Sequence, residues 1–244
     1  MTTMKHAGIL AHSVEGAALC FRAFCQEGFR ELGAHLHPDV TLDCIAMAHS
    51  MDAWEKADYV PIRATLAQSV TRLALAGADF FLCPDNTAHI ALEELGDDLA
   101  LPGLHIAEIV ADNAARNDYK CVGVLGTKYL MGAPLHPQAL SKHNIRAVIP
   151  GAEERRVIDE IIFSELVNGI FSDTSRQKYI HIIEQLRDQG CDAVALVCTE
   201  IPLLVTPDIS PLPTLDSTRL LARAAFEVAI ETRPMPSWKG GQTS

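Results

Sequence analysis

The sequence predicts an α/β protein of two pseudo-symmetric domains, each a mainly parallel sheet flanked by helices. Short apolar runs alternate along the chain with longer amphipathic segments, which is typical of parallel sheets with helical crossovers. A turn is also duplicated, because Gly77-Ala-Asp and Gly190-Cys-Asp each precede an apolar run and then a polar cluster. The two glycines are 113 residues apart, and so are Asp85 and Cys198 in the clusters. This constant offset predicts two related half-domains.

Each element is predicted from its apolar spacing. The predicted strands, short and apolar, are Ala7–Leu10, Thr41–Met47, Phe80–Cys83, Cys121–Leu125, Ala147–Ile149 and Ala193–Val197. The predicted helices, longer and amphipathic, are Glu15–Leu32, Val60–Ala76, Ala107–Asn117, Glu153–Val167, Ser175–Gln189 and Thr218–Thr232. Ile62, Leu66, Val70 and Leu73 form one helix face, and Gly77 then stands where a helix C-cap belongs.

Turn formers divide the chain. Leu101-Pro102-Gly103 and the proline-punctuated stretch 207–213 separate periodic segments. We therefore predict a first domain of residues 1–102 plus 215–233 and a second of 103–214. Residues 234–244 are rich in Pro, Gly and Ser and have no periodicity, so we expect a disordered tail.

Composition narrows the possible partners. Apolar residues make up 48% of the chain, which indicates a globular protein. The net charge of −11 argues against nucleic acid and anionic membrane as partners. The seven cysteines are an odd number without metal-ligand spacing, so we expect free thiols, no metal and a reducing cytoplasmic location. No signal peptide or membrane span is predicted.

The two polar clusters carry the chemistry. Asp85 and Cys198 follow equivalent strands, and ligands of parallel sheets bind beyond such strand ends. A carboxylate and a thiol on opposite faces of one carbon can remove and return a proton by general acid–base catalysis, without a cofactor. The alternatives are that Asp85 is only a helix N-cap and that Cys198 is an inert buried thiol.

Other polar residues beside these strand ends could hold a carboxylate. Asn86, Thr87, Thr127 and Thr199 bring hydroxyl, amide and backbone N–H donors to predicted helix starts. The same residues could act simply as helix caps. Glu200 could contact substrate or be a solvated first-turn acid favoured by the helix dipole.

These motifs resemble a known family. Pro84-Asp85-Asn86-Thr87-Ala88-His89 resembles the Pro-Cys-Asn-Thr-Ala-His signature of the aspartate/glutamate racemase superfamily, and Cys198-Thr199-Glu200 resembles its Gly-Cys-Thr-Glu signature. Gly126-Thr127 is similar to a Gly-Thr segment of the family's second domain. The resemblance implies a cofactor-independent enzyme, often a homodimer, with its active site in the cleft between two domains. It also implies that Cys198 is catalytic and that Asn86, Thr87, Thr127 and Thr199 bind the carboxylate of a small amino acid.

Two positions depart from the family pattern. Asp85 replaces the first cysteine, and Ala11-His12-Ser13 replaces a Gly-Gly-Met segment after the first strand. His12 and Ser13 could therefore contact the substrate, or could be ordinary loop residues. We expect burial to raise the pKa of Asp85 and a helix N-terminus to lower that of Cys198.

Three functions follow from this pattern. The first is a racemase or epimerase that transfers a proton at the carbon next to a carboxylate, using Cys198 with Asp85. The second is a one-thiol lyase or isomerase, similar to arylmalonate decarboxylase or maleate isomerase, in which Cys198 acts alone. The third is a carboxylate-binding protein without catalysis.

Overall fold

The computed structural model describes residues 4–243. The chain forms two compact units, the first up to Ile106 and again from Thr218 onward, the second Ala107–Ser217. Each unit contains one four-stranded parallel sheet flanked by helices. The predicted α/β class with two similar halves is thus confirmed. None of the helices within residues 4–243 combines the length and apolar character that crossing a membrane requires.

The first unit has the strand order β2-β1-β3-β4. Its elements are β1 (Ala7–Ala11), α1 (Val14–Leu32), β2 (Val40–Cys44), a 3-10 turn (Met47–His49), α2 (Met51–Glu55), α3 (Tyr59–Leu75), β3 (Phe80–Leu82), α4 (Asn86–Leu92) and β4 (Gly103–Leu104). Every residue of the central strand β1 is buried, because helices cover both faces of a parallel sheet. The predicted apolar face of α3, from Ile62 to Leu73, is also buried.

The second unit repeats this order as β6-β5-β7-β8. Its elements are α5 (Ile106–Arg116), β5 (Cys121–Leu125), α6 (Lys128–Gly132), α7 (Leu135–Lys142), β6 (Arg146–Val148), α8 (Ala152–Ser164), a 3-10 turn (Leu166–Asn168), α9 (Asp173–Asp188), β7 (Ala193–Leu196), α10 (Ile201–Leu204) and β8 (Thr214–Asp216). The last helix, α11 (Ser217–Ala229), returns to the first unit, where Phe226 packs edge-on against Phe24 of α1.

Strand register confirms the internal repeat. Gly8 of β1 pairs with Phe81 of β3, and Gly123 of β5 pairs with Val194 of β7. Phe81 and Val194 are separated by the same 113 residues as Asp85 and Cys198. The strands that lead to Asp85 and Cys198 therefore hold the same place in their two sheets.

The turns that precede these strands are also alike. Gly77 and Gly190 have φ of +90° and +88°, the left-handed conformation that favours glycine after a helix. The next polar residue accepts a backbone N–H in each copy: Asp79 from His6 at 2.8 Å and Asp192 from Lys120 at 2.7 Å. The duplicated Gly-Xaa-Asp segment is therefore a helix stop followed by a carboxylate that joins two strands.

Several elements differ from the prediction. Strand β2 ends at Cys44 rather than at the predicted Met47, because Met47 already belongs to a 3-10 turn. The edge strands β4 and β8 have only two and three residues, too few to show a period of two. Their pairing with β3 and β7 keeps β4 in the first unit and β8 in the second. The two units therefore divide after Ile106 and after Ser217, slightly C-terminal to the boundaries predicted near residues 102 and 214.

The C-terminal segment, predicted to be disordered, instead packs on the first unit. Trp238 forms an antiparallel bridge with Gly103, and Lys239 accepts the backbone N–H of Leu99 at 2.9 Å. The Trp238 ring lies 5.9 Å from that of Phe81. One large aromatic side chain thus anchors a segment whose composition indicates disorder.

Candidate functional site

Two loops of the first unit meet beyond the carboxyl ends of β1 and β3. Ala11 ends β1 and is followed by His12, while Leu82 ends β3 and is followed by Cys83, Pro84 and Asp85. Because these strands are parallel neighbours, their loops emerge at the same edge of the sheet. His12 and Asp85 therefore become direct partners although 73 residues separate them in sequence.

Asp85 is held by three N–H donors. Its Oδ1 accepts the backbone N–H groups of Thr87 at 2.9 Å and Ala88 at 3.2 Å, which makes it the N-cap of α4. Its Oδ2 lies 2.6 Å from Nδ1 of His12. Only 12% of the Asp85 side chain is exposed. The capping role considered in the sequence analysis is thus present, together with an additional contact to His12.

His12 is itself held from its other side. The indole Nε1–H of Trp54, in α2, donates to His12 Nε2 at 3.2 Å, and the two rings pack edge to face. An indole N–H can only donate, so Nε2 is the acceptor nitrogen and the ring proton resides on Nδ1. His12 consequently donates this Nδ1–H to Asp85.

These contacts shift the pKa values of Asp85 and His12. Burial would raise the pKa of Asp85, but the charge and hydrogen bond of His12, with the Ala88 N–H, bring it below its usual value. Burial likewise would lower the pKa of His12, and the Asp85 carboxylate raises it instead. The expectation of a raised Asp85 pKa is therefore wrong, because the sequence analysis did not anticipate the His12 contact.

His89 supports the backbone of this loop. Its Nδ1 donates to the carbonyl oxygen of Asp85 at 2.9 Å, and its Nε2 accepts the N–H of Ile106 at 3.2 Å. The ring is fully buried and stacks on Trp238 with an interplanar angle of 12°. His89 is thus a structural histidine, and the C-terminal segment packs against it.

The equivalent loop of the second unit carries a thiol. Cys198 follows β7, is partly exposed, and donates from Sγ to Oε2 of Glu200 at 3.1 Å. The Thr199 hydroxyl donates to the same oxygen at 2.8 Å. Of the other cysteines, Cys44 is exposed and the remainder are buried. Cys198 is therefore the partly exposed thiol that lies at a strand end.

Two further hydroxyl groups belong to segments beside β7, the strand that leads to Cys198. Thr127 is the N-cap of α6, and its hydroxyl accepts the Leu130 N–H at 3.5 Å. Tyr179 of α9 is fully buried; within residues 4–243 its hydroxyl has no hydrogen-bond partner. Burial, and then electrostatic interaction with Cys198, Asp159 and Glu200, raise the Tyr179 pKa well above its ordinary value, so the phenol stays neutral.

The sequence model of the Asp/Glu/Hydantoin racemase family matches residues 23–225. The chain belongs to this family. Membership makes the protein an isomerase of the racemase type. The match runs from within α1 to within α11, so it includes the loops of Asp85 and Cys198 but not β1 or His12.

Known proteins agree with this assignment. A crystal structure of a candidate Asp/Glu racemase from Yersinia pestis is 30% identical, covers 93% of this chain and all of its own, and superposes with a TM-score of 0.86. An aspartate racemase homologue from Pyrococcus horikoshii shares the fold at 22% identity, with 93% and 99% coverage and a TM-score of 0.80. The broad specificity amino-acid racemase RacX of Bacillus subtilis is 25% identical over 167 residues, which cover 68% of this chain and 72% of that protein.

The residues expected in a racemase site fall into two groups. His12, Asp85, Asn86 and Thr87 lie together in the first unit; Thr87 has its N–H engaged by Asp85, and Asn86 is buried at the start of α4. Ser13 is the N-cap residue of α1, without a side-chain capping bond.

In the second unit, Cys198, Thr199 and Glu200 form one hydrogen-bonded cluster. Thr127 follows β5, the strand that pairs with β7. Within the described residues, no group of three His, Cys, Asp or Glu side chains is arranged to hold a metal ion.

Sequence reasoning missed three aromatic residues near these loops, namely Trp54, Tyr179 and Trp238. Trp54 and Trp238 are distant in sequence from His12 and His89, which they contact, and Tyr179 is a buried residue of a predicted helix. Trp54 follows β2, which ends earlier than the sequence predicts, and Trp238 lies in the segment predicted to be disordered. Their contacts depend on chain folding rather than on local spacing.

Proposed function

We propose that the protein is a cofactor-independent racemase or epimerase that transfers a proton at the carbon next to the carboxylate of a small amino acid. The observation that supports this most strongly is that Asp85 and Cys198 follow equivalent strands of two sheets with the same order and register. The relative RacX is a broad specificity amino-acid racemase, which supports an amino acid as substrate.

In this reaction Asp85 is the base and Cys198 the acid. The Asp85 carboxylate takes the proton on the α-carbon, and the electron pair of that C–H bond spreads onto the substrate carboxylate. Cys198 then gives its thiol proton to the other face of the carbon and is left as a thiolate. The opposite enantiomer reacts through the same steps in reverse.

The resting contacts of both side chains agree with these roles. The pKa of Asp85 lies below its usual value, so the group is ionised and able to accept a proton. The Cys198 thiol donates a hydrogen bond to Glu200, so it carries a proton to give. Asn86, Thr87, Thr127 and Thr199 supply the hydroxyl and amide groups proposed to hold the substrate carboxylate, while Ser13, His12 and Glu200 complete the proposed site.

A one-thiol lyase or isomerase is the second candidate, because Asp85 is so fully engaged. All three of its described bonds come from N–H donors, and they make the carboxylate a weaker base than an isolated one. Under this alternative Asp85 only orients the substrate or a water molecule, and Cys198 transfers the proton.

Proton exchange in deuterated water separates the two candidates. The protein is incubated with D- and L-amino acids, including aspartate and glutamate, and with maleate and an arylmalonate. A racemase exchanges the α-proton, seen by NMR, and scrambles the stereochemistry, seen by chiral chromatography. Release of carbon dioxide or ammonia, or a shifted double bond, would contradict the racemase proposal and support the one-thiol reaction.

The Asp85→Cys variant is a second test of the same question. A thiol at this position restores the two-cysteine pattern of the family, so we expect aspartate or glutamate racemase activity to increase. If it does not, His12 and Ser13 are the better candidates for the residues that determine specificity. A homodimeric state and a cytoplasmic location remain our predictions, and light scattering on the purified protein tests the first.

A further inference from the structure

Three side chains of the first unit form a hydrogen-bonded series that ends on Asp85. Trp54 Nε1 lies 3.2 Å from His12 Nε2, and His12 Nδ1 lies 2.6 Å from Asp85 Oδ2. They come from three separate segments: α2, the loop after β1 and the loop after β3. The His12 and Asp85 side chains are only 8% and 12% exposed, so water screens this series weakly.

The series has a fixed direction because of the indole. Trp54 offers a donor and no acceptor, so its bond to His12 Nε2 requires that this nitrogen carry no proton. The neutral imidazole then has its single proton on Nδ1, which faces Asp85. The reverse tautomer would turn two N–H groups toward each other at Trp54 and would leave Asp85 Oδ2 without this donor.

We propose that Trp54 and His12 are positioning residues that act on Asp85. The indole selects the Nδ1–H tautomer of His12, and the His12 N–H orients the carboxylate and keeps it ionised as the base. This inference rests on the proposed racemase function, in which Asp85 takes the α-proton. Oδ1 is occupied by the N-cap bonds of α4, so the His12 bond to Oδ2 is what completes the orientation of the carboxylate plane.

The groups around His12 act on its proton in opposite directions. The Asp85 carboxylate favours the imidazolium and raises the pKa of His12, although burial by itself lowers it. The Trp54 N–H favours the neutral ring, because an imidazolium has no acceptor. Loss of this N–H should therefore let His12 bind a proton at higher pH.

The other titratable groups facing Asp85 do not account for such a change. Cys83 is buried, and burial followed by the Asp85 charge raises its thiol pKa well above the ordinary value. His89 accepts the Ile106 N–H at Nε2 and donates from Nδ1 to the Asp85 carbonyl, so its described contacts fit a neutral ring. His12 is the ring whose tautomer the indole governs.

Nitrogen NMR of the full-length protein tests the tautomer directly. The His12 signals are assigned by comparison with His12→Asn, and on the alkaline side of the observed His12 titration we expect a protonated Nδ1 and an unprotonated Nε2. Trp54→Phe should raise the His12 titration by roughly half to one pH unit, the effect of one neutral hydrogen bond. Tyr59→Phe is the matched control, because the Tyr59 ring packs on Trp54, with 5.8 Å between centroids, while only a hydroxyl is removed.

The pH dependence of turnover gives the second readout. In Trp54→Phe the acidic limb of the kcat/KM profile should move upward with the His12 titration, since an imidazolium weakens Asp85 as a base. A wild-type His12 protonated on Nε2, or a Trp54→Phe spectrum identical to wild type, would overturn the inference. The wild-type spectrum decides even if Trp54→Phe does not fold. The NMR result also stands apart from catalysis, so a protein that racemises nothing but shows the predicted tautomer would refute only the proposed function.

Discussion

The strand ends at Asp85 and Cys198 share one backbone design but surround their functional atoms with opposite chemistry. Three N–H donors converge on the Asp85 carboxylate, whereas the Cys198 thiol lies beside the Glu200 carboxylate. The first environment stabilises a negative charge, and the second offers the thiol a hydrogen-bond acceptor. Equivalent strand ends of a duplicated fold can therefore differ in chemistry, because Asp85 gains the distant His12 as a partner whereas Cys198 bonds Glu200, two residues further along the chain.

Removal of the thiol should have the largest effect. We expect Cys198→Ser to lower turnover by about 10³- to 10⁴-fold, since a hydroxyl is a far poorer acid and general acid–base groups contribute on this scale. Chiral chromatography measures the loss. Cys44→Ser, at an exposed thiol, is the control and should retain wild-type activity. Near wild-type turnover in Cys198→Ser would exclude this thiol from the reaction.

Removal of the charge at Asp85 should have the next largest effect. Asp85→Asn keeps a side chain that caps helices well but cannot accept the α-proton, so we expect roughly a 10²-fold loss of kcat. Asp79→Asn is a matched control, because Asp79 also binds a backbone N–H but lies before β3. Equal activity in wild type and Asp85→Asn, measured by NMR exchange, would indicate that Asp85 only caps α4.

The C-terminal segment supports one strand end and should be tested through stability. Trp238 packs on Phe81, His89 and His105, so we expect Trp238→Ala to cost about 2 kcal/mol of unfolding free energy, less than for a fully buried ring. Chemical denaturation measures this change. Trp238→Phe retains a ring and should lose much less. An unchanged midpoint in Trp238→Ala would mean that the segment contributes no stability.

The carboxylate beside the thiol should have a smaller effect. Glu200 repels a thiolate at Cys198, so Glu200→Gln should increase the rate of alkylation by iodoacetamide near neutral pH about fivefold, equivalent to ~1 kcal/mol. Mass spectrometry identifies the modified thiol. Glu184→Gln, on the exposed part of α9, is the control for general charge effects. A slower reaction in Glu200→Gln would show that Glu200 activates the thiol instead.

The smallest expected effect concerns pH and stability at Asp85. Its folded pKa is lowered, so the stability that it contributes is present above the unfolded value of about 4 and is lost as the pH falls through the folded value. Wild type should therefore exceed Asp85→Asn in stability by about 1 kcal/mol near pH 6, and this difference should vanish at lower pH. Thermal melts at several pH values measure it. A difference that grows on acidification would contradict the lowered pKa.

Local patterns in the sequence predicted the repeat and the class of fold because their causes are local. The apolar face of α3 follows the helical period, and Gly77 and Gly190 occupy left-handed positions that other residues adopt poorly. The edge strands β4 and β8 carry no such pattern, since a strand of two or three residues exists only through its partner. Gly103 of β4 shows this dependence on the partner strand. It pairs with Phe81 of β3, and an added Cβ would lie 2.3 Å from the Phe81 ring.

The placement of Asp85 and Cys198 after strands was likewise predicted, but the groups around them were not. The Asp85-Asn86-Thr87 and Cys198-Thr199-Glu200 motifs located both strand ends. The direction of the Asp85 pKa was predicted wrongly, because a contact with a residue 73 positions away outweighs the burial that local sequence implies.

The sequence by itself determined that Asp85 and Cys198 follow equivalent strands, since strand ends, helix starts and glycine stops follow from nearest-neighbour sterics and periodicity. Only the tertiary structure decided what those atoms can do. Charge and protonation depend on groups within a few ångströms, and folding brings Trp54, His12 and Asp85 together from three separate segments.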